Sequence, residues 1–359
     1  MKTISKKIIS GFMALVTVIS MFQPLYVSAV ENTAYDAYAN EMACEYAEMT
    51  SLYSGEQISL SQGYEIYNDS NDNNRIYFVF NGNECVGELI VTYNNNEFWS
   101  NYMQNEIEDI TTALSNEVPF YVCAVDKSLL FCTENQALVF DGPEVASGYS
   151  VNRMSSTSYN VNDVFEMEKL ELKEIEVNEN VMYNRATYAY GNTSTAEYGK
   201  LEVPVVKNST VDGVGICWAA TVSSIAAYRT GDTALSAKTL YDNLDDKYLG
   251  SPTGNVTWVK RAFSYYGLDY TYKASGTNYA GVKACIQDER PIYASITDGE
   301  VGHAVVICGY QSAQGGYYYY EIMDPNRSST VLVKVSSTST NFTYTHGAYT
   351  YTTWRRRFY

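Results

Sequence analysis

The order of apolar patterns in residues 201–359 most constrains the fold. Apolar residues recur at helical spacing in CWAATVSSIAAYRTG (217–231), LSAKTLYDNLDDKYLG (235–250), VTWVKRAFSYYGL (256–268) and YAGVKACIQDE (279–289). Strand-like runs then follow in PIYASIT, GHAVVICGYQ and GYYYYEIMD, before a tail rich in Ser, Thr and Tyr. Because the helices precede the strands and do not alternate with them, the pattern predicts an α+β domain.

A second α+β domain is predicted for residues 30–145. Helical spacing in residues 34–52 and 97–116 predicts two helices, and residues 76–93 and 118–142 predict antiparallel strands, with a turn at Asn81-Gly82-Asn83. Over residues 146–200 the periodicity fades into Ser, Asn, Tyr and Glu. We interpret this stretch as a linker or activation segment.

The excess of negative charge lies in the N-terminal part of the chain. Residues 30–200 carry 28 Asp and Glu against 7 Lys and Arg, whereas residues 201–359 carry 13 against 14. No basic patch is available for nucleic acid, so we expect no nucleic-acid partner. The acidic surface can serve solubility as well as docking.

Residues 1–29 have the pattern of a secretory signal peptide. Three lysines precede an apolar run, and Val27-Ser28-Ala29 forms a small-residue cleavage site. No later segment reaches the roughly 20 apolar residues of a spanning helix. We therefore expect a secreted protein that has no membrane partner once the signal is removed.

The seven cysteines and two histidines predict neither a metal site nor a cofactor. The cysteine number is odd and no CxxC pair occurs, so no disulfide is assigned, and most of the cysteines are interpreted as buried apolar residues. The histidines lie far apart in the sequence and offer no ligand spacing.

Cys217 begins a predicted helix directly after a glycine-containing loop. The free N–H groups of a helix N-terminus favour a thiolate, which is the nucleophilic form of cysteine. A base is also required, and His303, at the head of a buried strand, is favoured over His346 in the polar tail because a strand holds the ring rigidly. Asp324 ends the next strand and would return to the head of the His303 strand, where its carboxylate can orient the imidazole.

Residues 201–359 resemble the papain-fold cysteine peptidases secreted by bacteria, and are similar to the staphopains and the bacteriocin-leader-processing peptidases. The resemblance rests on VPVVKN, GICWAA, ERPIYASI, GHAVVICGY and IMDPN. It implies a papain-like fold and a thiol protease acting on proteins or peptides, with Cys217 as nucleophile, His303 as base and Asp324 as orienting acid. Papain itself has Asn in the third place, so aspartate is closer to the leader-processing branch.

One position departs from the family pattern. The glutamine that usually precedes the nucleophile and helps to form the oxyanion hole is missing, and Asn208 occupies its place. We expect the Asn208 amide and the Cys217 N–H to bind the oxyanion. Trp218 is expected at the floor of the cleft, and Trp354 in the core, although it could instead shield the His303–Asp324 pair.

The chain layout further resembles a zymogen, in which residues 30–145 are a prodomain that acts as an intramolecular inhibitor. Cleavage is expected between about Tyr183 and Lys200. A permanent binding or adhesion module is the competing interpretation of the N-terminal domain. Transglutaminase-like amide transfer, or a catalytically weak papain-like binding module, remain alternatives for the chain as a whole.

Overall fold

The computed structural model describes residues 43, 47, 58–67, 74–94, 97–104, 111, 120–125, 128–133, 136–141, 158–160, 186–187, 197–244, 252–313, 317–327 and 329–359. The predicted signal peptide lies outside these residues. Within the helix predicted for residues 34–52, the two described positions, Ala43 and Ala47, are helical and buried.

Four helices form the first part of the C-terminal domain, as the sequence predicts. They are α1 (Cys217–Thr230), α2 (Ala237–Leu244), α3 (Val256–Tyr265) and α4 (Tyr279–Gln287). Gly231 ends α1 in the left-handed conformation, at φ 75°. Asn255 and Asn278 begin α3 and α4, and each side chain accepts hydrogen bonds from N–H groups of the first helical turn.

Most of the strands of this domain form one antiparallel sheet, and the others form two separate hairpins. They are β11 (Glu197–Lys200), β12 (Thr210–Val211), β13 (Val214–Gly215), β14 (Tyr272–Lys273), β15 (Ile292–Thr297), β16 (Gly302–Ala313), β17 (Tyr317–Met323), β18 (Thr330–Val335), β19 (Tyr344–His346), β20 (Tyr349–Tyr351) and β21 (Thr353–Phe358). The central order is β14-β21-β15-β16-β17-β18, and β11 pairs with the distal half of β16. β11 therefore belongs to this sheet although it lies in the predicted linker. Two hairpins, β12–β13 and β19–β20, stand apart from the sheet.

Helices cover both faces of this sheet. Helix α1 packs with α2 and α3 against one face, which presents Ala304, Val306 and Cys308. Helix α4 packs against the other face through Val305 and Ile307. Alternate residues of β16 thus enter two cores, and this explains why its sequence is almost continuously apolar.

The N-terminal domain is mainly a β-meander. Its strands are β1 (Ile58–Leu60), β2 (Tyr64–Tyr67), β3 (Asn74–Asn81), β4 (Glu84–Asn94), β5 (Glu97–Gln104), β6 (Tyr121–Val125), β7 (Ser128–Cys132) and β8 (Gln136–Asp141). Two short strands, β9 (Ser158–Asn160) and β10 (Ala186–Thr187), pair with β8 and β1. The turn predicted at residues 81–83 joins β3 to β4, and Gly82 has the positive φ, 60°, that this turn requires.

Strand β5 corrects the sequence prediction of a helix over residues 97–116. Residues 97–104 are extended and pair along their whole length with β4, although Thr111 is helical. The segment is rich in aromatic and β-compatible residues, and pairing on both edges outweighs its helical spacing. Its second partner is β18 of the C-terminal domain, where Met103 lies opposite Val331 and Asn101 opposite Val333.

Among the residues that the structure describes, this strand pairing joins both domains into one 17-stranded sheet. Side chains cross the boundary as well: Met103 packs in the core of the C-terminal domain, and Tyr319 packs in a core of the N-terminal domain. The hydroxyls of Thr92 and Thr345 lie 2.9 Å apart in a buried hydrogen bond. The N-terminal domain is therefore docked on the edge of the C-terminal sheet and against the β19–β20 hairpin.

Within the described ranges, the helices are too short or too polar to cross a membrane.

Candidate active site

Cys217 lies where the β12–β13 hairpin enters α1. The hairpin turns tightly through Asp212 and Gly213, both at positive φ, and leads through the fully buried Ile216 to the first residue of the helix. No side chain caps this helix end, the N–H groups of Ala219 and Ala220 donate to the Ile216 carbonyl, and the thiol lies at the positive end of the helix dipole. Behind Cys217, residues 218–227 of α1 are buried and fix its position.

His303 is the second residue of β16 and is almost fully buried. It lies opposite Ile296 of β15, whose pairing holds its backbone on one side, and the pairing of β16 with β17 begins three residues later, at Val306. Its side chain has no exposed surface. The rigid setting expected from the sequence is therefore present.

Asp324 directly follows β17 and returns to the head of β16. The antiparallel register sets Met323 opposite Val306, so Asp324 lies toward His303. Its Oδ2 lies 2.9 Å from Nε2 of His303. The backbone N–H of Asn326 donates to the other carboxylate oxygen at 2.8 Å, which fixes the plane of the carboxylate.

Cys217 lies close enough to the His303 ring for its sulfur to raise the pKa of the imidazole. Nε2 of His303 is engaged with Asp324, so Nδ1 is the ring nitrogen left for the sulfur. Cys217 is half-buried, whereas His303 and Asp324 are buried. The structure thus brings the three residues together in the order sulfur, imidazole, carboxylate, with the sulfur nearest to solvent.

The charges of this group are set by their mutual contacts. Burial lowers the pKa of His303, but the Asp324 carboxylate and the Cys217 sulfur outweigh burial and raise the pKa to about 9. Burial raises the pKa of Asp324, but the charges of His303 and His346 outweigh it and hold the pKa well below its usual range. At neutral pH His303 is therefore an imidazolium and Asp324 a carboxylate, which is the charge state that favours a thiolate at Cys217.

Asn208 lies beside the turn that follows Asp324. Its backbone N–H donates to the Pro325 carbonyl at 3.0 Å, and its side-chain Nδ2 donates to Oδ1 of Asn326 at 2.8 Å. Its own Oδ1 accepts from the N–H of Ser209 at 2.9 Å. The amide is held firmly, and one of its two hydrogens is used by Asn326.

His346 belongs to this site, contrary to the expectation that its tail segment would not hold it rigidly. It lies on β19, its side chain is fully buried, and its Nδ1 is 3.2 Å from Oδ2 of Asp324. The polar tail forms the β19–β20 hairpin instead of a loose loop, because its alternating Thr and Tyr residues pair across Gly347. The sequence distance between the two histidines therefore says nothing about their separation in space.

Two tyrosines of the same hairpin complete the surroundings and were missed from the sequence. Tyr344 donates its hydroxyl to Oδ2 of Asp324 at 2.6 Å. Tyr351 stacks on His303, with ring centroids 5.6 Å apart and an angle of 28°. The signal that could have indicated them is the repeated aromatic pattern YTHGAYTY next to a histidine.

The tryptophans have structural positions. Trp218 is buried against Trp258 and Tyr241, and its indole N–H donates to the Pro252 carbonyl at 3.0 Å. Trp354 packs in the core that contains α4, with Phe342 and Tyr320 as ring neighbours. The role of shielding the His303 ring belongs to Tyr351, because that is the ring stacked on it.

His303, Asp324 and His346 also satisfy the distance criterion for a metal site, since their ligand atoms lie within 4.8 Å of one another. The spacing argument against a metal site therefore fails in space. The Asp324 oxygen nevertheless lies at hydrogen-bonding distance from the His303 ring, 2.9 Å, and accepts the Tyr344 hydroxyl at 2.6 Å. We assign these groups to one another and not to an ion.

Residues 198–343 match the model of one protein family, described as papain-like cysteine protease AvrRpt2. No curated protein matches the chain. The matched range includes Cys217, His303 and Asp324, together with all four helices of the C-terminal domain. It ends before Tyr344, so the β19–β20 hairpin lies outside the match.

Proposed function

Because the protein is a cysteine peptidase with a papain-like domain, we propose that it is a secreted endopeptidase made as an inactive precursor. Cys217 is the proposed nucleophile, His303 the general acid and base, and Asp324 the residue that orients the imidazole. The contact that carries this proposal is the buried 2.9 Å bond between His303 and Asp324, next to a thiol at an uncapped helix N-terminus.

In the proposed reaction, the Cys217 thiolate attacks the carbonyl carbon of a peptide bond and forms a tetrahedral oxyanion. The Cys217 N–H and the Asn208 amide bind this oxyanion. The bond between Asn208 and Asn326 supports this role, because it holds the amide in a fixed orientation before the substrate arrives.

His303 then donates its proton to the leaving amine, and the tetrahedral intermediate collapses to a thioester between Cys217 and the acyl part of the substrate. The neutral imidazole takes a proton from water, the resulting hydroxide attacks the thioester, and the acid product leaves. Asp324 keeps the ring in one orientation through both steps. Its buried contacts support this role, because they leave the carboxylate little freedom to turn.

We propose that the N-terminal domain is a prodomain that inhibits the catalytic domain until the linker is cut. Its docking on β18 and against the β19–β20 hairpin supports this, because the contacts reach the segment that surrounds Asp324. Cleavage is proposed between about Tyr183 and Glu197, since β11 begins at Glu197 and pairs with β16. Secretion is proposed from the signal-peptide pattern of residues 1–29.

The test compares residues 30–359 with the variants Cys217→Ala and Cys285→Ala under reducing conditions. Cys285 is a matched control because it is a buried helical thiol whose pKa is raised by burial. We expect the wild type and Cys285→Ala to shorten by self-cleavage and to hydrolyse a mixed peptide library, and Cys217→Ala to do neither. Mass spectrometry of the products gives the activation site and the sequence preference.

Activity that survives in Cys217→Ala would refute the proposed nucleophile. Full activity of an uncut wild type would refute the inhibitory prodomain. If the wild type cuts nothing even after an added protease has removed the N-terminal domain, a binding module becomes the better interpretation.

A further inference from the structure

The carboxylate of Asp324 is shared by more groups than a three-residue relay requires. Its Oδ2 accepts from His303 at 2.9 Å and from Tyr344 at 2.6 Å, and Nδ1 of His346 lies 3.2 Å from the same oxygen. The Asn326 N–H occupies Oδ1. One buried oxygen therefore lies between two imidazoles, of which His303 is the ring whose pKa the Cys217 sulfur raises.

His346 is held against Asp324 by the β19–β20 hairpin. It pairs with Tyr349 across Gly347, whose φ of 57° allows the tight turn. Its neighbour Thr345 is bonded to Thr92 of the N-terminal domain and contacts Thr350 on β20. The position of the ring is therefore set by the fold and not by a flexible tail.

The second imidazole has a predictable effect on the first. The close approach of Nδ1 of His346 to Oδ2, at 3.2 Å, draws on the negative charge of that oxygen and weakens its hold on the His303 proton. An imidazolium that is held less tightly is a stronger acid and transfers its proton more readily to the leaving amine. The same contact limits rotation of the carboxylate and so keeps it directed toward Nε2.

We propose that His346 is a positioning residue, which holds the Asp324 carboxylate toward His303 and moderates how strongly that carboxylate binds the His303 proton. This inference rests on the proposed function, because it assigns His303 as the general acid. It concerns a segment beyond residues 198–343, the range that matches the papain-like family.

The groups that face His346 come from three parts of the fold: β16, the turn after β17 and the β19–β20 hairpin. They are Asp324 after β17, His303 on β16, Tyr344 and Tyr349 on the hairpin itself, and Arg327, which donates to the Thr345 carbonyl at 3.3 Å. The charges of His303 and His346 hold the pKa of Asp324 well below its usual range, so this carboxylate stays ionised over the working pH range. We therefore attribute a change in the pH profile of a His346 variant to a change in the pKa of His303.

The experiment starts from the chain of residues 30–359, cleaved in the assay without separating the two domains, and uses two substitutions at one position. His346→Asn keeps an N–H donor near the place of Nδ1, whereas His346→Leu keeps the bulk and removes the donor. For each variant kcat and KM are measured from pH 5 to 10, together with thermal unfolding and the fraction of Cys217 that iodoacetamide alkylates. Wild type and Cys217→Ala run in parallel, so failure of the proposed function is seen separately as absence of wild-type turnover.

We expect His346→Leu to lower kcat about tenfold, within the range available to general acid catalysis, with KM changed less than about twofold. The alkaline limb of the kcat–pH profile of His346→Leu should move to higher pH, because Asp324 then binds the His303 proton more strongly. His346→Asn should restore kcat to within about threefold of the wild type. It should also return the alkaline limb of the kcat–pH profile to within a few tenths of a pH unit of the wild-type position. This recovery is what a purely structural role would not give.

Three results would overturn the inference. The first is a His346→Leu enzyme with wild-type kcat and pH profile. The second is a lower kcat that only follows a smaller fraction of alkylatable Cys217, with the limb unmoved. The third is a His346→Asn enzyme as impaired as the His346→Leu enzyme.

Discussion

Substitution of Asp324 by Asn separates the charge of this residue from its shape. In the wild type, Oδ2 accepts from His303 and Oδ1 accepts from the N–H of Asn326. The side-chain amide of the Asp324→Asn variant could still accept from the imidazole, but its NH₂ group would then meet the Asn326 N–H, donor against donor. The variant therefore loses a full negative charge at His303 and one buried hydrogen bond.

The two losses have different sizes and different readouts. Without the carboxylate, the pKa of His303 should fall from about 9 toward its ordinary value of 6.5, since burial no longer has an opposing charge. At pH 8 the protonated fraction of the ring would then drop from about 90% to about 3%, a loss of about thirtyfold in the reactive ion pair. The unmade bond at Asn326 should lower the free energy of unfolding by about 1–3 kcal/mol.

The assay measures kcat/KM on a cleaved peptide, and the iodoacetamide alkylation rate of Cys217, from pH 5 to 10. Asp298→Asn is the matched control, because Asp298 is exposed at the β15–β16 turn and its Oδ1 accepts from the local N–H groups of Glu300 and Val301. We expect the alkaline limb of the kcat/KM profile to move by roughly two units to lower pH in Asp324→Asn and to stay in place in the control. A limb that remains near pH 9 in Asp324→Asn would refute the idea that this carboxylate holds the His303 proton.

Three further predictions test the oxyanion site, the pH dependence of stability and the domain contact. Asn208→Ala should lower kcat about a hundred- to a thousandfold with little change in KM, and a loss below about threefold in steady-state assays would assign the oxyanion donor elsewhere. The pKa of His303 is higher in the folded than in the unfolded chain, so its contribution to stability is complete below about pH 6.5 and is lost as the pH rises through about 9. Urea unfolding should therefore show a free energy of unfolding that declines between these pH values in the wild type, and Asp324→Asn should remove this decline. Thr92→Val should lower the free energy of unfolding by about 1 kcal/mol, because it deletes the buried bond to Thr345, and an unchanged urea midpoint would show that this contact adds no stability.

The sequence was most informative where local pattern and chemistry coincide. Cys217 at the start of α1, His303 at the head of β16 and Asp324 at the end of β17 could each be located from periodicity, and antiparallel pairing of the two strands places the last two together. These relations involve neighbouring elements with a fixed register. They therefore follow from the length and order of the elements.

The parts that could not be predicted depend on contacts between distant segments. His346 lies in a stretch whose Thr and Tyr residues resemble a loop until β19 pairs with β20. Strand β5 has helical spacing, yet its conformation is decided by β4 on one edge and β18 on the other. In both segments the local preference is weak, and tertiary pairing decides the structure.

The same two segments link the N-terminal domain to the active site. Strand β5 carries Met103, whose sulfur receives a hydrogen bond from Arg327 at 3.7 Å, and Arg327 also donates to the carbonyl of Thr345. Thr345 precedes His346, so docking of the N-terminal domain acts on the residue next to the second imidazole. Removal of that domain would withdraw Met103 and Thr92 together from the hairpin that holds Tyr344 and His346 on Asp324. An activation step that releases the N-terminal domain must therefore leave this hairpin stable without it, and the pH profile of the enzyme before and after release reports whether Asp324 keeps its hold on His303.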